Sequence, residues 1–94
     1  MAAPAVAYTV KGSVECPDVL KEDSNEAYSL ANRWWVLGYI TGRNYQTELQ
    51  TGDATQTGAG VDEDQIYAYV IEFCKNNPDK DMDDASIDLY ESLK

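Results

Sequence analysis

The chain contains no histidine, so the commonest general base and the commonest metal ligand are both absent. Ser-His-Asp and Cys-His catalysis are thereby excluded. Seventeen acids stand against seven bases, and a suitably separated carboxylate pair could in principle hydrolyse a glycosidic bond. No spacing singles out such a pair. The run Asp79-Lys80-Asp81-Met82-Asp83-Asp84 begins like a calcium loop. The match then fails, because Asp84 stands where the sharp turn needs glycine and Tyr90 where a bidentate Glu is required. The same acids read more simply as the start of a helix, whose N-terminal dipole favours anions. These residues predict no catalytic site, no metal and no cofactor.

Cys16 and Cys74 lie too far apart for a CxxC redox or zinc pattern. They read either as two buried thiols or as one disulfide, and a small acidic domain favours the disulfide. Such a bridge would close a loop of 58 residues and contribute about 4 kcal/mol in the chain-entropy treatment. An oxidising compartment would follow from it. The opening Met1-Ala2-Ala3-Pro4-Ala5 reads as a start methionine placed before a mature N-terminus.

Ninety-four residues make one domain, and ten aromatics with 44% hydrophobic residues argue against a disordered chain. The net charge of −10 repels nucleic-acid phosphates and anionic membrane surfaces over most of the molecule. The apolar stretch from Trp34 to Ile40 is far short of the roughly 20 residues that cross a bilayer. Cationic or apolar protein partners remain as the fitting class.

The elements that would position these residues form an all-α pattern, a small irregular bundle of about four helices. Residues 1–13 read as a mobile arm, and residues 14–94 as the single helical domain. Pro17 at an allowed first position starts a short helix over 17–22. Asp23 with Glu26 forms a capping box for a long helix over 24–48. Its helically spaced Ala27, Leu30, Ala31, Trp34, Gly38, Thr41 and Tyr45 predict one buried stripe. Tyr28, Trp35 and Tyr39 fall beside it, so the helix is apolar on more than one side and central to the bundle. Residues 50–60 are small, polar and Gly-rich and read as a flexible connection. Asp62 caps a third helix over 62–77, with Gln65 completing a capping box and Val61 and Ile66 a hydrophobic staple. Its inward stripe is Ile66, Val70, Phe73 and Cys74, and Pro78 enforces its end. A last helix over 81–93 places Met82, Ala85, Leu89 and Leu93 on one face.

Two features of the long helix invite a further reading. Gly38 and Gly42 share a helical face, and mid-helix glycine costs roughly 1 kcal/mol relative to Ala. Close packing of another helix, the third one above all, would repay that cost. Trp34, Trp35, Tyr39 and Tyr45 read either as core or as a partner-binding surface. Adjacent tryptophans point about 100° apart on a helix, so one can fill the core while the other reaches the edge.

The string Trp35-Val36-Leu37-Gly38-Tyr39-Ile40-Thr41-Gly42-Arg43-Asn44, followed by Val70 to Pro78 and a closing helix Ala85 to Leu93, resembles the HdeA/HdeB-like family of small bacterial periplasmic proteins. The resemblance covers about residues 14–93. It implies that Cys16 and Cys74 are bridged, that the protein is periplasmic, and that it carries no catalytic residues. It further implies a pH-responsive chaperone: a folded, homodimeric resting state that opens in acid and holds unfolding client proteins. The Gly-Tyr-x-x-Gly helix and the Asn-Pro helix end also resemble immunity proteins that neutralise type VI secretion amidases, although those carry additional cysteines. That likeness implies a specific neutral-pH complex with an amidase. An exported structural or interaction domain with neither activity is the third reading.

Overall fold

Pro17 opens the first helix, α1 (Cys16–Glu22), which begins without a side-chain cap. The computed structural model describes residues 12–94. Among them, α1 is followed by α2 (Glu26–Thr51), α3 (Glu63–Asn76) and α4 (Met82–Ser92), with no strand. The described residues form an all-α bundle of four helices, as the helical periodicity predicts, and a Cys16–Cys74 disulfide closes it.

The mobile arm expected over 1–13 lies outside the described residues except for its last two. Of these, Ser13 is tied down, its hydroxyl oxygen accepting from the Asp83 N–H at 2.9 Å. Val14 and Cys16 then pair with the backbone of Met82 and Lys80, making a short antiparallel bridge between Glu15 and Asp81. This stitch holds the start of α1 against the start of α4.

The cap of α2 differs from the expected Asp23–Glu26 box. Helix α1 runs to Glu22, so Asp23 serves as its C-cap, and the reversal into α2 occupies the next two residues. Asn25 becomes the N-cap and its Oδ1 accepts from the Tyr28 N–H. At the other end α2 continues past residue 48 to Thr51, where Gly52 adopts φ 80° and donates its N–H to Glu48. A left-handed glycine just beyond the last turn is the usual way to satisfy terminal carbonyls, and the Gly-rich stretch concealed it. Helix α3 is capped by Asp62, which accepts from Asp64 N–H. In α4, Asp81 and Asp84 form a reciprocal capping box; the acids that mimic a calcium loop cap a helix.

The core gathers Cys16 and Val19 from α1, Val36 and Ile40 from α2, Ile66, Tyr67, Val70 and Cys74 from α3, and Met82, Ala85, Leu89 and Tyr90 from α4. The sequence stripes for α3 and α4 face inward as expected, with Phe73 and Leu93 half-buried beside them. For α2 the inward face is different. Its buried residues are Asn32, Val36 and Ile40, about half a turn from the predicted stripe through Leu30, Trp34, Gly38 and Tyr45. The stripe read as core faces outward.

The connection between α2 and α3 is docked. Asn44 Nδ2 donates to the Thr57 carbonyl at 3.0 Å, and turns close from Ala59 to Gln56 and from Val61 to Gly58. Gly58 has φ +86°, and a Cβ there would meet Leu93 Cδ1 at 3.4 Å and Ile40 Cγ2 at 3.5 Å. That spacing is ordinary contact, so the cost of a side chain comes from the left-handed backbone. Gly58→Ala is expected to destabilise the fold by about 1–2 kcal/mol, measured as a lower urea midpoint at unchanged m-value.

Candidate functional site

Helix α2 has an inner and an outer face. The inner one is polar at both ends. Asn32, fully buried, donates from Nδ2 to Glu22 Oε1 at 3.0 Å, joining α2 to α1. Arg33 pairs with Asp64 and, at 4.0 Å, with Glu63, joining α2 to α3, and its guanidinium lies 5.1 Å from the Tyr67 ring centroid. Burial pushes the Tyr67 hydroxyl above the ordinary tyrosine range, while Asn32 and the charge of Arg33 pull it down less strongly. Asn32 Oδ1 and the Tyr67 hydroxyl are both buried and neither makes a hydrogen bond of good geometry, although they lie near enough for that influence.

At the other end Arg43 sits over the Tyr90 ring at 4.3 Å and the Tyr39 ring at 5.8 Å. It donates to the Tyr39 hydroxyl at 2.9 Å and to Glu91 Oε2 at 3.3 Å, joining α2 to α4. The hydrogen bond to Tyr39 is the main reason its pKa is raised further, and a guanidinium so held is a fixed positive charge. Tyr90 completes the junction by donating its hydroxyl to Asn44 Oδ1 at 2.7 Å. Between α3 and α4, Tyr69 donates to Asp88; that bond is the main cause of its raised pKa. Tyr69 is therefore a donor and not a base in the open hollow of about 470 Å³ that it lines with Phe73, Asn76 and Lys80.

The outer face of α2 is a ridge. Leu30 is 52% exposed, Trp34 58%, Tyr45 61% and Leu49 62%, with exposed Gly38, Thr41 and Gly42 between them. From Ala27 to Leu49 no charged residue falls within this strip except Glu48 at its border, on a chain of net charge −10. Isolated exposed apolar residues are ordinary, whereas these form a row along one side of the helix.

The predicted site residues therefore divide. Cys16 and Cys74 are joined, fully buried, with Cα atoms 4.8 Å apart. Trp34 and Tyr45 stand on the outer ridge, while Trp35 and Tyr39 are half-buried and stack at 6.1 Å between centroids, 14° from parallel. The four aromatics do not form one patch. The expected packing of α3 against Gly38 and Gly42 does not occur: a Cβ at either position meets nothing within 4 Å. Helix α3 approaches the opposite side of α2, where Asn32 and Val36 lie. Sequence reasoning missed Arg43, Asn44 and Tyr90 as a junction, and the Arg43-Asn44 pair at the end of the glycine helix was the available signal. Among the described residues no three of Cys, Asp and Glu converge to hold a metal, and no helix is long and apolar enough to cross a membrane.

No family model matches this chain, and no curated protein and no solved structure is significantly similar to it.

Proposed function

We propose that this chain is a non-catalytic protein-binding domain of an oxidising, extracytoplasmic compartment, opening in acid to hold unfolding proteins as an HdeA-like chaperone does. One observation carries the reading. Four helix pairs are tied by a donor on a carboxylate: α1–α2 by Asn32 on Glu22, α2–α3 by Arg33 on Asp64, α2–α4 by Arg43 on Glu91, and α3–α4 by Tyr69 on Asp88. The fifth, α1–α3, is tied by the disulfide. Acid acts on the first four and leaves the fifth intact.

Carboxylates titrate around pH 4, so below about pH 3 the chain moves from −10 towards about +7. Protonation strips each tie of its charge-assisted strength, and like positive charges then repel across the bundle. The sign is clear at Glu91, whose pKa is lowered chiefly by its hydrogen bond to Lys94 and further by Arg43. A lowered folded-state pKa contributes stability above the ordinary carboxylate range and loses it as pH falls through the lowered value. Helix α2 takes part in three of the four carboxylate ties and would be released first, baring Val36 and Ile40 in addition to its outer ridge. The bridge would keep α1 and α3 together for reclosure.

The test is light scattering of an acid-labile enzyme diluted to pH 2–3 with and without the oxidised protein, alongside near-UV circular dichroism. Suppressed aggregation, coincident with loss of tertiary signal, is the expected result. Unsuppressed aggregation by a protein that has opened, or an intact tertiary signal at pH 2, sinks the proposal.

A second reading, an inhibitor of a secreted amidase, draws on the ridge being exposed in the folded state. It predicts capture of one specific enzyme at neutral pH, with Trp34→Ala abolishing capture.

A further inference from the structure

We infer that the corner where α1, α2 and α3 meet is a binding site for a free α-amino acid with an apolar side chain. A hollow of about 340 Å³ opens there, within the size range of small-molecule sites. Its walls come from three helices: Asp23 from the C-cap of α1, Arg33 from α2, and Tyr67, Ala68, Ile71, Glu72 and Lys75 from α3. The α3 residues recur at helical spacing and share one face of that helix, about 12 Å long from Tyr67 to Lys75.

The Tyr67 hydroxyl is the group that asks for a ligand. Tyr67 is 2% exposed, and its hydroxyl has no hydrogen-bond partner among the described residues. Buried polar groups are nearly always paired. Its pKa, raised first of all by burial, also responds to the charges of Asp23 and Arg33. The hydroxyl therefore lies at the end of the hollow where those two residues stand, and a carboxylate seated there gives it an acceptor.

The charges select the ligand. Two acids, Asp23 and Glu72, and two bases, Arg33 and Lys75, line the hollow, so the lining is neutral on a chain of net charge −10. A lone anion would meet the two acids and a lone cation the two bases; a zwitterion answers both. Arg33 engages Asp64 and Glu63 through Nη1, which leaves Nη2 and Nε for the paired N–H contacts that a carboxylate takes from a guanidinium. Asp23 is exposed and joins no ion pair among the described residues, so its carboxylate is open to an ammonium group.

Asp23 and Arg33 stand beside one hydroxyl, so the two charges of the ligand must be neighbours, as they are on the α-carbon of an amino acid. From that end Ala68 and Ile71 continue along α3 and provide a surface for an apolar side chain. Glu72 and Lys75 mark the far end. They approach one another only to 4.0 Å, beyond hydrogen-bond reach.

This inference stands apart from the acid-holding proposal, since the folded protein binds the ligand at neutral pH with no client present. The experiment is a titration of the oxidised full chain with L-leucine to about 10 mM, followed by amide chemical shifts. A dissociation constant on the order of 0.1–1 mM is expected, with the shifts concentrated at Asp23, Arg33 and Tyr67 to Lys75. Isocaproate, which lacks the ammonium group, and isoamylamine, which lacks the carboxylate, are each expected to bind at least about tenfold more weakly. Tyr67→Phe and Asp23→Asn are expected to weaken L-leucine binding about tenfold at unchanged melting temperature, because neither group has a partner within the described chain. Asp23→Asn, at an exposed position, keeps the test open should Tyr67→Phe unfold. An absence of shifts over that range, shifts centred elsewhere, or an analogue that binds as tightly as L-leucine overturns the inference. So does either folded variant that binds L-leucine as the wild type does.

Discussion

Replacing both bridged cysteines, as Cys16→Ala with Cys74→Ala, is expected to cost about 4 kcal/mol of folding stability. The two residues are 58 apart in the sequence, so the unfolded chain regains the entropy of a long loop when the bond is gone. Whole domains are held by only about 5–15 kcal/mol, and one of this length has a modest core. The bridge also joins α1 to α3, a pair for which no carboxylate tie is found among the described residues. Urea titration of the variant and of the reduced wild type checks the value. A loss below about 1 kcal/mol would show that side-chain packing alone holds the bundle. Both sulfurs are fully buried, so reductant should act on the native protein only as fast as it opens.

Tyr90→Ala is expected to cost about 3–5 kcal/mol, the range for removing a buried aromatic ring. Tyr90 is the largest fully buried side chain among the described residues. Its ring packs under Arg43, and its hydroxyl holds Asn44, which in turn holds the α2–α3 connection at Thr57. Truncation would therefore loosen the far half of α2 from α4 together with that connection. Tyr90→Phe separates the two contributions: it keeps the ring and leaves Asn44 Oδ1 without its donor, at about 1 kcal/mol. Equal losses in the two variants, by urea titration, would mean that the hydroxyl and not the ring secures the junction. Hydrogen exchange along α2 should show the loosening concentrated towards Thr51.

The bridge holds α1 to α3 and Tyr90 holds α2 to α4, and the proposed function lies in how α2 is held. Its tie to α4 combines Glu91, which acid titrates, with the neutral Tyr90–Asn44 hydrogen bond, which acid leaves in place. The end towards Asn32 and Arg33 relies on Glu22 and Asp64.

The residues alone determined the number of helices and most of their ends, because caps act within one turn and need no tertiary partner. Asp62 caps α3 as expected, but by accepting from Asp64 and without the Gln65 box, while Asp81 and Asp84 form the box that opens α4. Where two caps competed, tertiary geometry chose: Asp23 went to the end of α1 and Asn25 to the start of α2. The inward stripes of α3 and α4 were legible for a related reason, since each has one apolar face. Tyr90 escaped notice there because a tyrosine at the margin of a stripe fits either side until Arg43 and Asn44 are brought over it.

For α2 the tertiary structure decided what the sequence left open. Apolar residues occur on several sides of that helix, so hydrophobic periodicity does not select which one turns inward. The buried side carries Asn32, Arg33 and Arg43, polar groups that weaken its pattern and find the carboxylates Glu22, Asp64 and Glu91 on other helices. Those partners are 10, 31 and 48 residues away, beyond the reach of any local rule. Burying that side leaves Trp34, Gly38 and Tyr45 to the outside.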